Sequence, residues 1–563
     1  MAKRKKAMRK PTPEELEKIN HRKDIRSVFR NSGFTKVLSV SDKEFTFKGR
    51  TGDIDDVFVY ENIIVLAEYT CASTRKLSGH ILLKKILFDL IINNKNEFIE
   101  FFEKTFETFK KTRDKNYAPS QCELIILYCS KNKLENQHKG HLPHVKFFDY
   151  PILQYFLSIS KIIKKSSRFE LFNFLGLNYN NIGENVLKPS KGASVEYEGH
   201  ILPEEHSSFD KDYNVVSFYM DAESLIGRAY VLRKEGWKKA DGLYQRMIVN
   251  TKITKMRKYL DEQNRVFVNN IIVTLPNEKT KLLDVEANTF NKTHPVTIQI
   301  EEGFNLIGLV DGQHRVYAYH EGDDIYEEKI SRLRKRQNLL VTGIIYPEGL
   351  EDHKRLEFEA KLFLEINANQ TGAKSDLKQA IQLLLEPFST IAVAKSVISM
   401  LNNNGPLEAY LAEYFFDKGK VPTTSIVSYG LTPIVKRSGE DSLFKLWKNP
   451  NKGDLIIEKD HQLLLEYREF CTEEINKLLI AYKKNIPNNL WTTNKKISKF
   501  LTVTSINGLI NCLRLLIKND KTGESDYYQD KLKGISEFRF EDYKSSQYRA
   551  LGERLYDKFF TIK

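Results

Sequence analysis

Cysteine is scarce in this chain of 563 residues. The five present (Cys71, Cys122, Cys129, Cys471 and Cys512) are odd in number and lack the close pairing of a metal site. That excludes a disulfide-stapled scaffold and a cysteine-based zinc module, and it fits reduced thiols in a cytoplasmic protein. No run of eighteen apolar residues occurs, so an ordinary membrane-spanning helix and a membrane partner are not expected. The opening stretch, Met1 to Lys10, carries Lys and Arg where a secretory signal would carry apolar residues. A Walker A loop is missing too, so any nucleotide would have to be held by another device.

What is there begins with charge and length. A net charge of +14 and a pI of about 9.1 favour polyanionic partners, nucleic acid among them. The chain is too long for one ordinary core, and three or four domains are expected. Thr12-Pro13-Glu14-Glu15 reads as a capped helix start, with the helix running towards Asn31 and ending at Ser32-Gly33. Strands are expected at 36–41, 44–48, 55–60 and 63–69, then helices over about 78–93 and 95–111. Strands at 123–129 and 145–147 and a helix over 150–165 follow. The Asn-, Gly- and Ser-rich stretch around 178–197 reads as a linker.

The first block holds a candidate metal site. Gly52-Asp53-Ile54-Asp55-Asp56-Val57-Phe58-Val59, a turn at Glu61-Asn62, and Ile63 to Thr70 form two strands joined tightly. An antiparallel pair brings Asp55, near the start of one strand, beside Glu68, near the end of the other. Two carboxylates so placed can share one Mg²⁺ or Mn²⁺. The order of elements resembles the PD-(D/E)XK nuclease fold, and Arg168 to Leu177 is similar to its closing helix. The resemblance implies a lysine two residues after Glu68, where Thr70 stands. In some members that lysine has moved to the next helix, which makes Lys76, Lys84 and Lys85 candidates. Asp24 would be the acidic residue some relatives carry on the first helix. The plainer reading makes Asp53, Asp55 and Asp56 turn residues and Glu68 a solvated strand end.

The second candidate site is Gly308-Leu309-Val310-Asp311-Gly312-Gln313-His314-Arg315-Val316-Tyr317-Ala318. A buried strand ends at a glycine turn and a helix begins, with Asp311 expected to cap it and His314 and Arg315 at its start. That pattern suits a phosphate, or simply a capped helix with exposed polar residues. Asp311 to Arg315 with Ala318 resembles the signature of DGQHR-domain proteins, a group that includes the DndB proteins of DNA phosphorothioation clusters and the DpdB proteins of deazaguanine-modification clusters. Tyr244-Gln245-Arg246 with Phe267 to Val273, and Phe363 to Asn367, agree with it in order and spacing. The resemblance covers roughly 200–400 and implies a ParB/sulfiredoxin-like fold. Gln245, Arg246, Asp311, Gly312, Gln313, His314 and Arg315 would hold a nucleotide or phosphate, with Asn367 nearby. If this site hydrolyses nucleotides, His314 and Arg315 are its catalytic candidates.

Other candidates are plainer. His138, His141 and His144 read as a surface loop rather than a zinc site, and His80 as a residue near a helix start. Arg332 to Arg336 reads as a solvated basic helix face or a nucleic-acid contact. Trp447 and Trp491 read as core or interface residues. Beyond about 385 the amphipathic spacing is helical.

The expected architecture is therefore α/β and multidomain. It comprises a basic tail (1–11), a PD-(D/E)XK-like α/β domain (12–178), a linker (179–198), a DGQHR α+β domain (199–400) and a helical extension (401–563). The expected function is that of a DNA-acting protein in a bacterial DNA-modification or anti-phage defence system. In that reading a metal-dependent nuclease, with Asp55 and Glu68 as catalytic metal ligands, is gated by a nucleotide- or phosphate-binding domain. The alternatives are a non-catalytic DNA-binding regulator or assembly factor, and a nucleotide hydrolase acting at the DGQHR site. Other proteins of such a system are expected partners, and an oligomer is compatible.

Overall fold

The structure is a computed structural model that describes residues 11–188, 193–209, 212–231, 247–283, 292–368, 375–414, 416–457 and 460–561. It is a mixed α/β protein. One compact unit takes in the described residues up to 355, and a second begins at 356.

The first unit opens with helix α1 (Pro13–Asn31). Its capping box is formed: the Thr12 side chain accepts from Glu15 N–H, and the Glu15 carboxylate accepts from Thr12 N–H. His21, Ile25, Val28 and Phe29 recur at helical spacing on its buried face. Then come β1 (Thr35–Lys36), β2 (Phe45–Phe47), β3 (Arg50–Gly52), β4 (Asp56–Tyr60) and β5 (Ile63–Thr70). The strand expected at 36–41 is cut short because Ser39 and Asp42 take left-handed φ of 61° and 59°. That turn brings Ser41 and Asp42 back towards β4. Helices α2 (Thr74–Asn93), α3 (Lys95–Thr105) and α4 (Glu107–Thr112) follow. The expected single helix over 95–111 breaks at Phe106, which turns extended and packs on Phe45 and Phe102. Strand β6 (Glu123–Ser130), α5 (Asn136–Gly140), β7 (Lys146–Phe148), α6 (Tyr150–Ile163), α7 (Arg168–Leu175) and α8 (Glu184–Leu187) complete this half.

Its sheet has the order β1-β4-β5-β6-β7, antiparallel across β1, β4 and β5 and parallel from β5 to β7. β5 is central and buried on both faces, which explains its nearly continuous apolar run. Glu68 is the exception.

The second sheet uses β8 (Ser194–Leu202), β9 (Asn214–Asp221), β10 (Ala229–Tyr230), β11 (Ile271–Leu275), β12 (Thr280–Leu283), β13 (His294–Glu301), β14 (Ile307–Asp311) and β15 (Asn338–Ile345). Their order is β10-β14-β11-β15-β9-β8-β13-β12, with both parallel and antiparallel pairs. Around it lie α9 (Glu204–Ser207), α10 (Ala222–Arg228), α11 (Asn250–Gln263), α12 (Gln313–Tyr317) and α13 (Glu327–Arg336).

The described part of the expected linker is structured. Asn62 Nδ2 donates to Asn181 O at 2.7 Å, Gly183 N–H donates to Asn62 Oδ1 at 2.8 Å, and Tyr179 donates to Glu302. Ser194 to Tyr197 already belong to β8. The segment after α12 also meets the chain leading from α6 into α7 through charge: Glu321 pairs with Lys165 and Arg168, and its N–H donates to Ser166.

The second unit is helical over its described residues. The expected boundary at 400 falls inside a continuous helix, Thr390–Asn403. Helices His461–Lys484 and Val503–Lys518 carry much of its core, which includes Trp447 and Trp491. Gly508 lets the helix Tyr548–Phe559 come close, since a Cβ there would meet Leu551 Cδ2 at 2.5 Å. Among the described residues, no single helix is long and apolar enough to cross a membrane.

Candidate functional site

The hairpin register builds the first site. Asp56 pairs with Ala67 across β4 and β5, so Asp55 stands opposite Glu68. Both are buried, at 8% and 3% exposure. Asp55 Oδ2 accepts the Tyr69 N–H at 2.7 Å, and Asp55 Oδ1 accepts from Arg22 on α1. Arg22 also makes a two-pronged pair with Asp42 at 2.7 and 2.9 Å.

A cation reaches Glu68 from α2. Lys84 Nζ lies 2.9 Å from Glu68 Oε1, and it donates to Asp53 Oδ1 at 2.9 Å and Asp53 O at 3.2 Å. Of the three candidate lysines, Lys84 makes this contact. Lys85 donates to His141 O, and Lys76 lines a cavity together with His80. Thr70 uses its hydroxyl to accept the Ala72 N–H, holding the turn into α2. One turn before Lys84, His80 places Nε2 3.9 Å from Glu68 Oε1 and Nδ1 2.7 Å from the Tyr128 hydroxyl. His80 is therefore more than a residue near a helix start.

Burial sets the protonation states. It pushes the Asp55 carboxyl up to about 6, against the Tyr69 N–H and Arg22. It pushes Glu68 up to about 8, because burial and the nearby Asp55 and Asp53 outweigh the pull of Lys84. The His80 imidazole is lowered by burial and by Lys84, which keeps it neutral near pH 7. Asp56 behaves differently. Burial alone would raise it, but hydrogen bonds from Arg26, Ser41, Lys36 and Tyr69 hold it low. Asp56 is a structural anion, while Asp55 and Glu68 form the facing pair.

The pair suits a small hard cation. Its donors are carboxylate oxygens, and Glu68 Oε2 is buried without a hydrogen-bond partner. Among the described residues no group of three or more His, Cys, Asp or Glu side chains is placed to hold a metal ion. The remaining positions would fall to water or substrate oxygen, the usual arrangement for Mg²⁺. A cavity of about 1100 Å³ is lined in part by Arg22, Tyr69, Thr70 and His80, neighbours of the pair, though not by Asp55 or Glu68 themselves.

Sequence reasoning missed Arg22 and Arg26. It looked to Asp24, which lines a different cavity with basic neighbours. Spacing held a clue: Arg22 and Arg26 are one turn apart and off the apolar stripe.

The second candidate site sits at the end of β14. Gly312 has φ +98°, and a Cβ there would meet Ile271 Cδ1 at 2.6 Å. Contrary to the expectation from the sequence, Asp311 does not cap α12: Gly312 is the cap residue, and Asp311 pairs with Arg315 at 2.9 Å. One guanidinium nitrogen, Nη2, makes that contact, and Arg315 Nε is buried without a hydrogen-bond partner. Arg315 also donates to Asn270 O at 2.8 Å, tying the turn to the segment before β11. The Val249 N–H donates to His314 Nε2 at 3.1 Å. Gln313 follows Gly312 as the first residue of α12. Gln245 and Arg246 lie outside the described residues, as does the side chain of Asn367.

Two further expectations change. His138 is buried within α5, at 2% exposure, rather than on a surface loop. In the basic cluster, Arg334 is buried and donates to Tyr319 O, His320 O and Glu327, so it holds the fold, while Arg332 pairs with Glu328 at the surface. No family model matches the chain, and no curated protein or solved structure matches it.

Proposed function

We propose that this chain is a DNA-acting protein of a bacterial DNA-modification or anti-phage defence system. In this reading residues 12–178 are a PD-(D/E)XK-type nuclease domain, gated by a ParB/sulfiredoxin-like DGQHR domain at 199–400. The observation that carries the reading is Lys84 Nζ at 2.9 Å from Glu68 Oε1, with Glu68 facing Asp55 across the hairpin. It supplies from a helix the cation absent at Thr70.

Asp55 and Glu68 would hold Mg²⁺ or Mn²⁺, which when bound polarises a phosphodiester and activates water. Lys84, fixed between Glu68 and Asp53, offsets charge that develops on the phosphate, and its fixed position lowers the reorganisation needed. Asp42, paired with Arg22 through two hydrogen bonds, would keep the guanidinium in place if Asp55 held the cation. The neutral His80 imidazole lines the cavity and can accept a proton there. The residues from Asp311 to Arg315 would receive the nucleotide or phosphate of the gating domain. The salt bridges of Glu321 are a route from that turn to α7.

The test compares Lys84→Ala and Lys84→Arg with wild type in Mg²⁺-dependent DNA cleavage. Loss in the alanine variant with DNA binding retained supports the reading. DNA binding by wild type without cleavage on any substrate would favour a non-catalytic regulator instead.

A further inference from the structure

A second cavity, of about 630 Å³, opens on α1 away from the carboxylate pair. Arg22, Lys23, Arg26 and Arg30 line it from α1 and Lys161 from α6, with Asp24 the sole acid among the lining residues. Arg22, Arg26 and Arg30 recur every fourth residue, so successive guanidinium stems rise along the helix by about 6 Å. That step is of the order of the spacing between phosphates of an extended strand. Arg22 and Arg26 are partly neutralised by Asp42, Asp55 and Asp56. Lys23, Arg30 and Lys161 form no ion pair among the described residues, and all three are exposed. Arg30 and Lys161 stand in the last turns of α1 and α6, where they also complement the helix C-termini, and their side chains remain open to solvent. Ile19 and Arg22 line both this cavity and the one beside His80, whose lining also carries Glu14, Glu15 and Glu17.

We propose that this groove of α1 and α6 binds the phosphodiester backbone of a nucleic acid and leads it past Arg22 to Asp55 and Glu68. The inference rests on the hydrolytic reading for its direction but not for binding itself. The forks of Arg22 and Arg26 are taken by Asp42, Asp55 and Asp56, so among these arginines Arg30 is the one open to engage a phosphate in two-pronged fashion, with Lys23 and Lys161 as point charges beside it. Backbone contacts carry no sequence information, so the groove positions the strand and leaves its choice to other parts of the chain.

The test is binding of a labelled single-stranded oligonucleotide and its duplex to the full chain in EDTA, over a series of salt concentrations. The variant is Lys23→Ala/Arg30→Ala/Lys161→Ala, and the control Lys104→Ala/Lys110→Ala/Lys111→Ala removes equal charge from another exposed stretch. The triple groove variant should bind more weakly than the control. Its slope of log affinity against log salt should fall in magnitude by about 2 for the single strand and by about 2 to 3 for the duplex. Affinity and slope equal to the control's would overturn the proposal, as would equal displacement of the oligonucleotide by polyglutamate. Weakened binding in a protein that cleaves nothing would leave the groove standing while the hydrolytic reading falls.

Discussion

Lys84 and Glu68 come from different elements, a helix and the central strand of the first sheet, and meet at 2.9 Å beside Asp55. Burial holds the Glu68 carboxyl up at about 8 even beside the lysine, which moderates that rise without cancelling it. Removing the lysine should separate chemistry from binding. Lys84→Ala should lower cleavage by about 100-fold or more, the scale for losing one fixed electrostatic contact in a transition state. DNA affinity should change little, which single-turnover cleavage and a binding isotherm in EDTA will measure together.

The raised Glu68 carboxyl makes metal binding release a proton. Glu68 titrates at about 8 and Asp55 at about 6 in the metal-free protein. Between these values Mn²⁺ affinity should rise close to tenfold per pH unit and level off above pH 8. Calorimetric titrations at several pH values will check this, and Glu68→Gln should flatten the dependence.

The same group sets a stability trend of opposite sign. Its folded pKa lies above its unfolded value, so its contribution is fully present below about pH 4 and is lost as pH rises towards 8. Metal-free wild type should lose up to about 1.4 kcal/mol per pH unit relative to Glu68→Gln over that window. Denaturant melts of the two proteins across pH will test the difference.

Asp56 should behave as a structural residue. Its carboxylate is fully buried and accepts from Arg26, Lys36, Ser41 and Tyr69. Asp56→Asn leaves two cations without their anion. It should destabilise the protein by about 3 kcal/mol, at the low end for a broken buried pair because Arg26 and Lys36 are partly exposed. Chemical denaturation measures the loss. Asp55→Asn should cost far less stability and remove metal binding.

The legible parts of this molecule were the local ones. A capping box, a tight turn and two apolar runs placed Asp55 beside Glu68, because pairing across a short hairpin follows from its turn. Lys84 was legible as one of three lysines, but which one reaches β5 depends on the helical phase of α2 against the sheet. Arg22 meets Asp55, and Tyr128 meets His80, across long stretches of chain that only tertiary packing brings together. The stretch after Asn178 was misread because Asn, Gly and Ser suggested irregular chain. The carboxamide of Asn62 clamps its backbone from a distant turn.

The gating role of the DGQHR turn has its own consequence. His314→Ala/Arg315→Ala removes the Asp311 and Asn270 contacts of Arg315. If a nucleotide controls cleavage, this variant should cleave at the same rate with and without nucleoside triphosphate, while wild type responds. Rates measured in parallel, with a melting curve to confirm folding, will decide it.

The most direct measurement is Mg²⁺- or Mn²⁺-dependent cleavage of modified and unmodified plasmid DNA, with and without nucleoside triphosphates, by wild type and by Asp55→Ala/Glu68→Ala. The account predicts cleavage by wild type that disappears in the double variant while DNA binding persists. No cleavage by wild type on any of these substrates, or equal cleavage by the double variant, would contradict it.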